Sequence, residues 1–350
     1  FLVLSVLEDS GYMARIAFIV DRLLKSMGLA GKSFVPLIVG FGCNVPAVMA
    51  TRALDCQSDR ILTILMAPYM SCGARLTVYA LFATAFFPSN GQNIVFALYL
   101  IGIVLAVVSA LAVKKYLLPQ TQSAFVMELP PYHAPILKNI LIQTWQRLKG
   151  FVLRAGKAIV VVVIALNILN SIGTDGSVGN ENTENSVLSA VGKSITPVFS
   201  PMGISPDNWP ATVGIFTGIF AKEVVVGTLD ALYTPGAGEF DATIPELIQA
   251  AFASVPDNLL GLTDQLGDPL GLDLGDLQDL DSQVDSQNVQ ISTVQAMQNL
   301  FDGQIGAFAY LLFVLLYMPC VATIGVIFKE AGGFWASFSV IWSFALAYSC

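Results

Sequence analysis

GFGCNVPAVMATRAL at residues 40–54 and GIFAKEVVVGTLDAL at 218–232 are two versions of one segment. YMSCGARLTV at 69–78 and YMPCVATIGV at 317–326 match more plainly. In each pair, glycine, proline or a polar side chain falls in the middle of an apolar run. Within a bilayer such residues interrupt a helix and free its backbone groups. A duplicated membrane unit interrupted at matching places is how solute transporters are built, with the site where the repeats meet.

Composition agrees with a membrane setting. Apolar residues make up 55% of the chain, charged residues 12%, and the mean hydropathy is +0.70, whereas charged residues are about a quarter of a soluble domain. Apolar runs long enough to cross hydrocarbon, about 20 residues each, lie at 62–87, 94–113, 151–169, 307–328 and 334–348, the last marginal in length, and 1–7 reads as the tail of another. The first residue is Phe and both ends are apolar, so the chain reads as a piece of a longer protein and no signal peptide can be judged.

Lys and Arg collect on the cytoplasmic side of membrane proteins. Arg15, Arg22, Lys25 and Lys32 put 8–33 inside, Arg52 and Arg60 do the same for 52–60, and the basic residues from Lys114 to Lys157 for the third loop. Asp175, Glu181, Glu184 and Asp207 face one Lys193 in 173–210, and 230–303 has no Lys or Arg, so both stretches belong outside. On this reading 61–87, 92–113, 151–170, 304–328 and 333–350 alternate in direction. The segments 34–51 and 211–232 each begin and end on one face, inside for the first and outside for the second, and are expected to be re-entrant or broken helices. The two repeats are therefore expected to be inverted. Re-entrant backbone cannot face lipid, since its unpaired groups would each cost several kcal/mol, so it lines a cavity or packs on protein.

The expected organisation is a first membrane repeat at 1–118 and a cytoplasmic loop with an interfacial amphipathic helix at 119–150. The second repeat begins at 151–232 and resumes at 304–350, around an acidic, partly disordered external insert at 233–303. The insert's aspartates match no EF-hand spacing.

Five cysteines show no CxxC or disulfide framework. Cys43, Cys72 and Cys320 fall in or beside the repeat motifs. A free cysteine is often an ordinary small buried residue. Three beside helix-opening residues suggest thiolate ligands, which together with oxygen donors could accept Fe(II), with proton release on binding. Lys222 and Glu223 stand where the first repeat has Asn44 and Val45. Intramembrane charges are costly and are functional candidates. Glu223 is then a cation ligand or proton carrier, and pairing with Arg75 or Asn44 is the structural alternative. Arg75 could instead bind an anionic solute. Carbonyls around Gly40, Gly42 and Gly218 are candidate oxygen donors. The Gly31-Lys32-Ser33 string lacks the earlier glycine of a P-loop, since Ser26 stands there. The single histidine, His133, lies far from every candidate nucleophile in this topology, so no catalytic triad can be assembled. The residues alone point to a cation or a small polar solute, and leave a non-transporting scaffold open.

LEDSGYMAR (7–15), GKSFVPLIVGFGCNVPAVMATRAL (31–54), MAPYMSCGARLTVYALF (66–82), ELPPYH (128–133) and GIFAKEVVVGTL (218–229) resemble the membrane domain of the FeoB family of bacterial ferrous iron transport proteins. The resemblance spans nearly the whole chain except 233–303. It implies an all-α, polytopic inner-membrane bundle of about six crossings with two inverted Gate (nucleoside-recognition) repeats that imports Fe2+, and no enzyme in this segment. It implies Cys43, Cys72 and Cys320 as cysteines of the iron path and Glu223 as the acidic residue of the second repeat. Asn44, Gly40, Gly42, Arg75, Gly218 and Lys222 are expected along the path. GTP and Mg2+ would belong to an N-terminal domain preceding residue 1. The expected partners are the lipid bilayer, Fe2+, the small protein FeoA and further copies of the chain, with no nucleic acid. The alternative is a Gate-type carrier of nucleosides or other polar solutes.

Overall fold

The computed structural model describes residues 2–26, 29–88, 90–118, 136–175, 177, 186–222, 224–233 and 291–350. Glu223, the ELPPYH string and most of the acidic insert lie outside the described residues.

The first half comprises α1 (Leu2–Asp9), α2 (Tyr12–Ser26), α3 (Phe34–Gly42), α4 (Asn44–Ala50), α5 (Gln57–Met66), α6 (Gly73–Phe86) and α7 (Gly91–Tyr116). After α8 (Leu137–Phe151) the second half has α9 (Lys157–Ser171), α10 (Val187–Ile195), α11 (Trp209–Phe220), α12 (Val224–Tyr233), α13 (Ile291–Leu300), α14 (Gly303–Leu316), α15 (Val321–Ala331) and α16 (Gly333–Ser349). The described residues are helical and loop, with only isolated β-bridges. Three helical stretches are long and apolar enough to cross a membrane: Gln57–Phe86, Gly91–Tyr116 and Gly303–Ala331. This is an all-α membrane protein. The segments expected to cross at 151–170 and 333–350 form the shorter helices α9 and α16, of 15 and 17 residues.

The interruptions have local causes. Proline lacks the amide hydrogen, and its ring collides with the carbonyl four residues earlier. Pro46 therefore cannot continue a helix through Gly42, and α3 ends there. Cys43 is extended (φ −158°, ψ 131°), and its N–H donates to Val39 O. Pro319 likewise stops α14 at Leu316. Pro68 converts the end of α5 into a single 3-10 turn, Ala67–Tyr69. The second hairpin has no proline at its break. There Ala221 takes nearly the geometry of Cys43, φ −146° and ψ 109°, with its N–H on Thr217 O, just before a run of β-branched valines that crowd a helix. The alignment of residue 43 with residue 221 is thus also a match of backbone conformation.

Packing repeats with the sequence. The pair α3–α4 packs together as α11–α12 does, α2 on α3 as α10 on α11, α5 on α7 as α14 on α16, and α6 on α7 as α15 on α16. Contacts between the halves are reciprocal. Helix α4 packs on α15, matched by α12 on α6, and α14 packs on α6, matched by α5 on α15. Patch-for-patch exchange of this kind is what a two-fold relation produces. The shared core holds Tyr69, Tyr79 and Phe82 of the first half against Tyr310, Phe313 and Tyr317 of the second. Gly102 lets α7 approach the 3-10 turn, since a Cβ there would sit 2.8 Å from Tyr69 O.

Two expectations are refined. The helix expected at the interface extends over Leu137–Phe151, docks on α1 with Asp9 Oδ2 accepting the Ile136 N–H at 2.9 Å, and runs through a π turn into α9. The last part of the insert is not a solvated tail. It forms α13, which packs on α6 and α12, because Val294 and Met297 share an apolar face that these helices bury.

Candidate ion path at the helix breaks

Cys72 and Cys320 hold equivalent posts, each the extended residue just before a membrane helix. Their carbonyls start those helices, accepting from Arg75 N at 3.0 Å and Ile324 N at 3.1 Å. The first N–H groups of a helix have no partner within it and carry partial positive charge, which favours electron-rich atoms beside them. Both sulfurs are partly buried, and Cys320 Sγ lies 3.1 Å from Thr323 Oγ1. Cys43 is partly buried at the first hairpin's break, and its counterpart Ala221 offers no sulfur.

Buried cationic and phenolic groups gather around the two breaks. Lys222 lies within electrostatic reach of Arg75, Cys72 and Cys320, and Tyr317 within reach of the same three. The Lys222 ammonium sits 4.4 Å over the Tyr317 ring. Arg75 is fully buried and splits its role. Nη1 donates to Pro68 O at 2.8 Å and Met70 O at 3.3 Å, capping carbonyls that the break leaves free, while Nε and Nη2 have no hydrogen-bond partner among the described residues. Tyr79 also reaches this region, its hydroxyl 3.4 Å from Ser71 Oγ.

Of the residues expected in the site, Cys72, Cys320, Arg75 and Lys222 come together. Cys43 does not complete a set with them: among the described residues no three His, Cys, Asp or Glu side chains converge to hold a metal ion. Asn44 has a structural role. Oriented to satisfy both ends of its amide, it donates to Gly40 O at 3.1 Å and Ala67 O at 2.8 Å. Gly40 and Gly218 let each hairpin press on the second break of its own repeat. A Cβ at 40 would stand 3.2 Å from Met70 Cβ, and one at 218 would stand 2.6 Å from the Tyr317 hydroxyl. A Cβ at Gly42 would meet open space.

Sequence reasoning passed over Tyr317 and Glu330. The tyrosine was visible as the first letter of the duplicated YMxC string. Glu330, at the end of α15, is gripped by two arginines of the other half. Arg52 Nε lies 2.9 and 3.0 Å from its two oxygens, and Arg52 Nη2 and Arg60 Nη2 also donate to it. In the sequence these arginines served only to orient loops.

Residues 1–86 and 152–334 match the Gate family, described as nucleoside recognition, and 95–147 match the C terminus of ferrous iron transport protein B. This chain belongs to the Gate family. Over all of its length it is similar to the Fe(2+) transporter FeoB of Legionella pneumophila (strain Lens), at 51% identity over 355 residues, and to that of Salmonella paratyphi A, at 49% over 353 residues. It covers 46% and 45% of those two proteins, so it spans about half the length of the relatives it matches, and it corresponds to their membrane part. No solved structure matches it.

Proposed function

We propose that this chain is the membrane portion of a permease that moves Fe(II) inward across the bacterial inner membrane, along a path between two inverted Gate repeats. The observation that supports the reading is that Cys72 and Cys320, at matched helix starts, both lie within electrostatic reach of the buried Lys222 and Tyr317 pair. The relatives' name, Fe(2+) transporter FeoB, supplies the cargo. Soft sulfur beside harder oxygen suits Fe(II), and conduction asks for several weak sites rather than one strong cage. Cys43, Cys72 and Cys320 are then met in succession, with Glu223 as a ligand or proton acceptor and hairpin carbonyls near Gly40, Gly42 and Gly218 as further donors. GTP with Mg2+, FeoA and self-association belong to the complete protein.

The test is anaerobic Fe(II) uptake by the full-length protein in proteoliposomes, with Cys43→Ser, Cys72→Ser and Cys320→Ser each expected to lower uptake. Undiminished uptake in all three removes the sulfur path. Inversion is tested separately by Asp55→Cys and Ser205→Cys, which should react with impermeant reagents from opposite faces. The unpaired donors of Arg75 and Lys222 favour a second reading, a carrier of an anionic or polar organic solute. Transport that survives replacement of all three cysteines would select it.

A further inference from the structure

On the face that loop charge puts inside, the two halves are held together by ion pairs. Glu330 at the end of α15, its side chain 5% exposed, accepts from Arg52, in the 3-10 turn Thr51–Ala53 after α4, and from Arg60 of α5. The arginines belong to the first half and the carboxylate to the second, and Cys320 stands at the other end of the same helix α15. Apolar contact beside the ion pairs is thin: Ala47, Val48, Ile64 and Ala67 of the first half meet Ile327 and Ala336 of the second in a cluster separate from the main core. Alanine and β-branched side chains bury less area than aromatic rings, so the arginines carry a large share of the hold at this end. The link beyond Glu330 is free to turn. Gly332, between α15 and α16, has φ +91°, and a Cβ there would meet open space, whereas the matching link from α6 to α7 contains Pro88, whose ring fixes φ. At the helix breaks the closed arrangement leaves donors unsatisfied: Arg75 Nε and Nη2, Lys222 Nζ and the Tyr317 hydroxyl have no hydrogen-bond partner among the described residues. Water admitted to them would remove that cost, so closure is held against a standing pull toward opening.

We propose that Glu330 with Arg52 and Arg60 is the inner latch of the permease: it shuts the path toward the cytoplasm and parts when α15 swings about Gly332. The inference rests on the inverted-repeat path proposed above and names what closes its inner end. Opening exchanges one carboxylate for water on two arginines that already touch solvent, a small cost for a charged contact. The aromatic cluster of Phe82, Phe301 and Tyr310 at the other end stays stacked and keeps the halves joined while α15 moves. One half thus rocks on the other about its aromatic end, the kind of motion by which inverted repeats expose a central site to one face.

The experiment uses the full-length protein in membrane vesicles of either orientation and measures, by mass spectrometry, how fast an impermeant maleimide reaches Cys72 and Cys320 from each face. From the cytoplasmic face Glu330→Gln should speed the labelling of both cysteines by about 10-fold, since it frees the latch and leaves two arginines to repel each other. Arg52→Gln combined with Arg60→Gln should do the same. The triple variant Arg52→Glu, Arg60→Glu and Glu330→Arg reverses the charges and should return the rate toward that of the wild type. Labelling from the external face should stay unchanged throughout. Equal cytoplasmic rates in the wild type and Glu330→Gln overturn the latch and leave the iron path standing. An equal rise from both faces marks general loosening of the fold and also overturns it. Faster labelling from the cytoplasmic face alone, in a protein whose wild type takes up no Fe(II) in proteoliposomes, upholds the latch and fails the cargo.

Discussion

Phe82 and Glu330 occupy the same place in the two repeats, each at the tenth position after its motif cysteine, yet they close the interface between the halves by opposite means. Phe82 stacks on Tyr310 with centroids 4.8 Å apart and meets Phe301 edge-on at 5.4 Å, with Phe86 beside it. Helix α13 covers this end, and Gln298 and Gln304 donate to the Ala85 and Phe86 carbonyls. Glu330 instead is bound by Arg52 and Arg60, whose side chains are 50% and 29% exposed while its own is 5% exposed. A dry aromatic cluster opens only by unstacking and wetting its rings. Arginines that already touch water can trade a carboxylate for solvent at lower cost. One scaffold thus carries a tight closure at one end and a looser, ion-dependent one at the other.

The difference can be broken most directly at Phe82. Phe82→Ala should cost about 3–5 kcal/mol, the range for emptying a fully buried aromatic position, read as the shift in a denaturant titration of the protein in detergent. Glu330→Gln should cost about 1–3 kcal/mol, below the value for a wholly buried pair because its arginines are partly solvated. Raising ionic strength should weaken the wild type at this end and leave the glutamine variant less affected. A cost for Glu330→Gln equal to that of Phe82→Ala would erase the distinction.

The hairpins sharpen the same contrast between halves. Gly218→Ala places a methyl 2.6 Å from both the Tyr317 hydroxyl and Val225, whereas Gly40→Ala meets Met70 at 3.2 Å. The first should cost about 1–3 kcal/mol by overpacking and the second less than about 1 kcal/mol, with Fe(II) uptake lost preferentially in Gly218→Ala. At the small end, Asp55→Asn removes the partner of Lys32, but Asp55 is 84% exposed. Its cost should stay within about 0.5 kcal/mol.

The folding of the breaks was legible because its causes are local. Pro46, Pro68 and Pro319 end the helices that precede them, and loop charge pointed to broken helices at 34–51 and 211–232, where the structure has the pairs α3–α4 and α11–α12. Hydropathy sufficed for the membrane setting for the same reason: lipid rewards an apolar run without reference to what lies elsewhere in the chain. The site was legible only in part. Cys43, Cys72, Arg75, Lys222 and Cys320 stood out as odd residues in apolar surroundings, but the signature does not tell which of them lie near one another: Cys72, Arg75 and Cys320 are within electrostatic reach of Lys222, and among the described residues no three His, Cys, Asp or Glu side chains converge to hold a metal ion. Tyr317 looked like ordinary core, and nothing in its own neighbourhood distinguishes it from Tyr69.

Read alone, the sequence determined the helical membrane character, the duplication and the points at which helices must open, since each follows from side-chain volume, proline geometry and transfer free energy over a few residues. The tertiary structure decided which of the duplicated groups are satisfied and which are left free. Asn44 and Tyr69 find hydrogen-bond partners, while among the described residues Lys222 Nζ and the Tyr317 hydroxyl find none. Glu330 meets two arginines more than two hundred positions away. Such outcomes depend on how one half packs against the other, and no local pattern encodes the distance between atoms that meet only after both halves have folded.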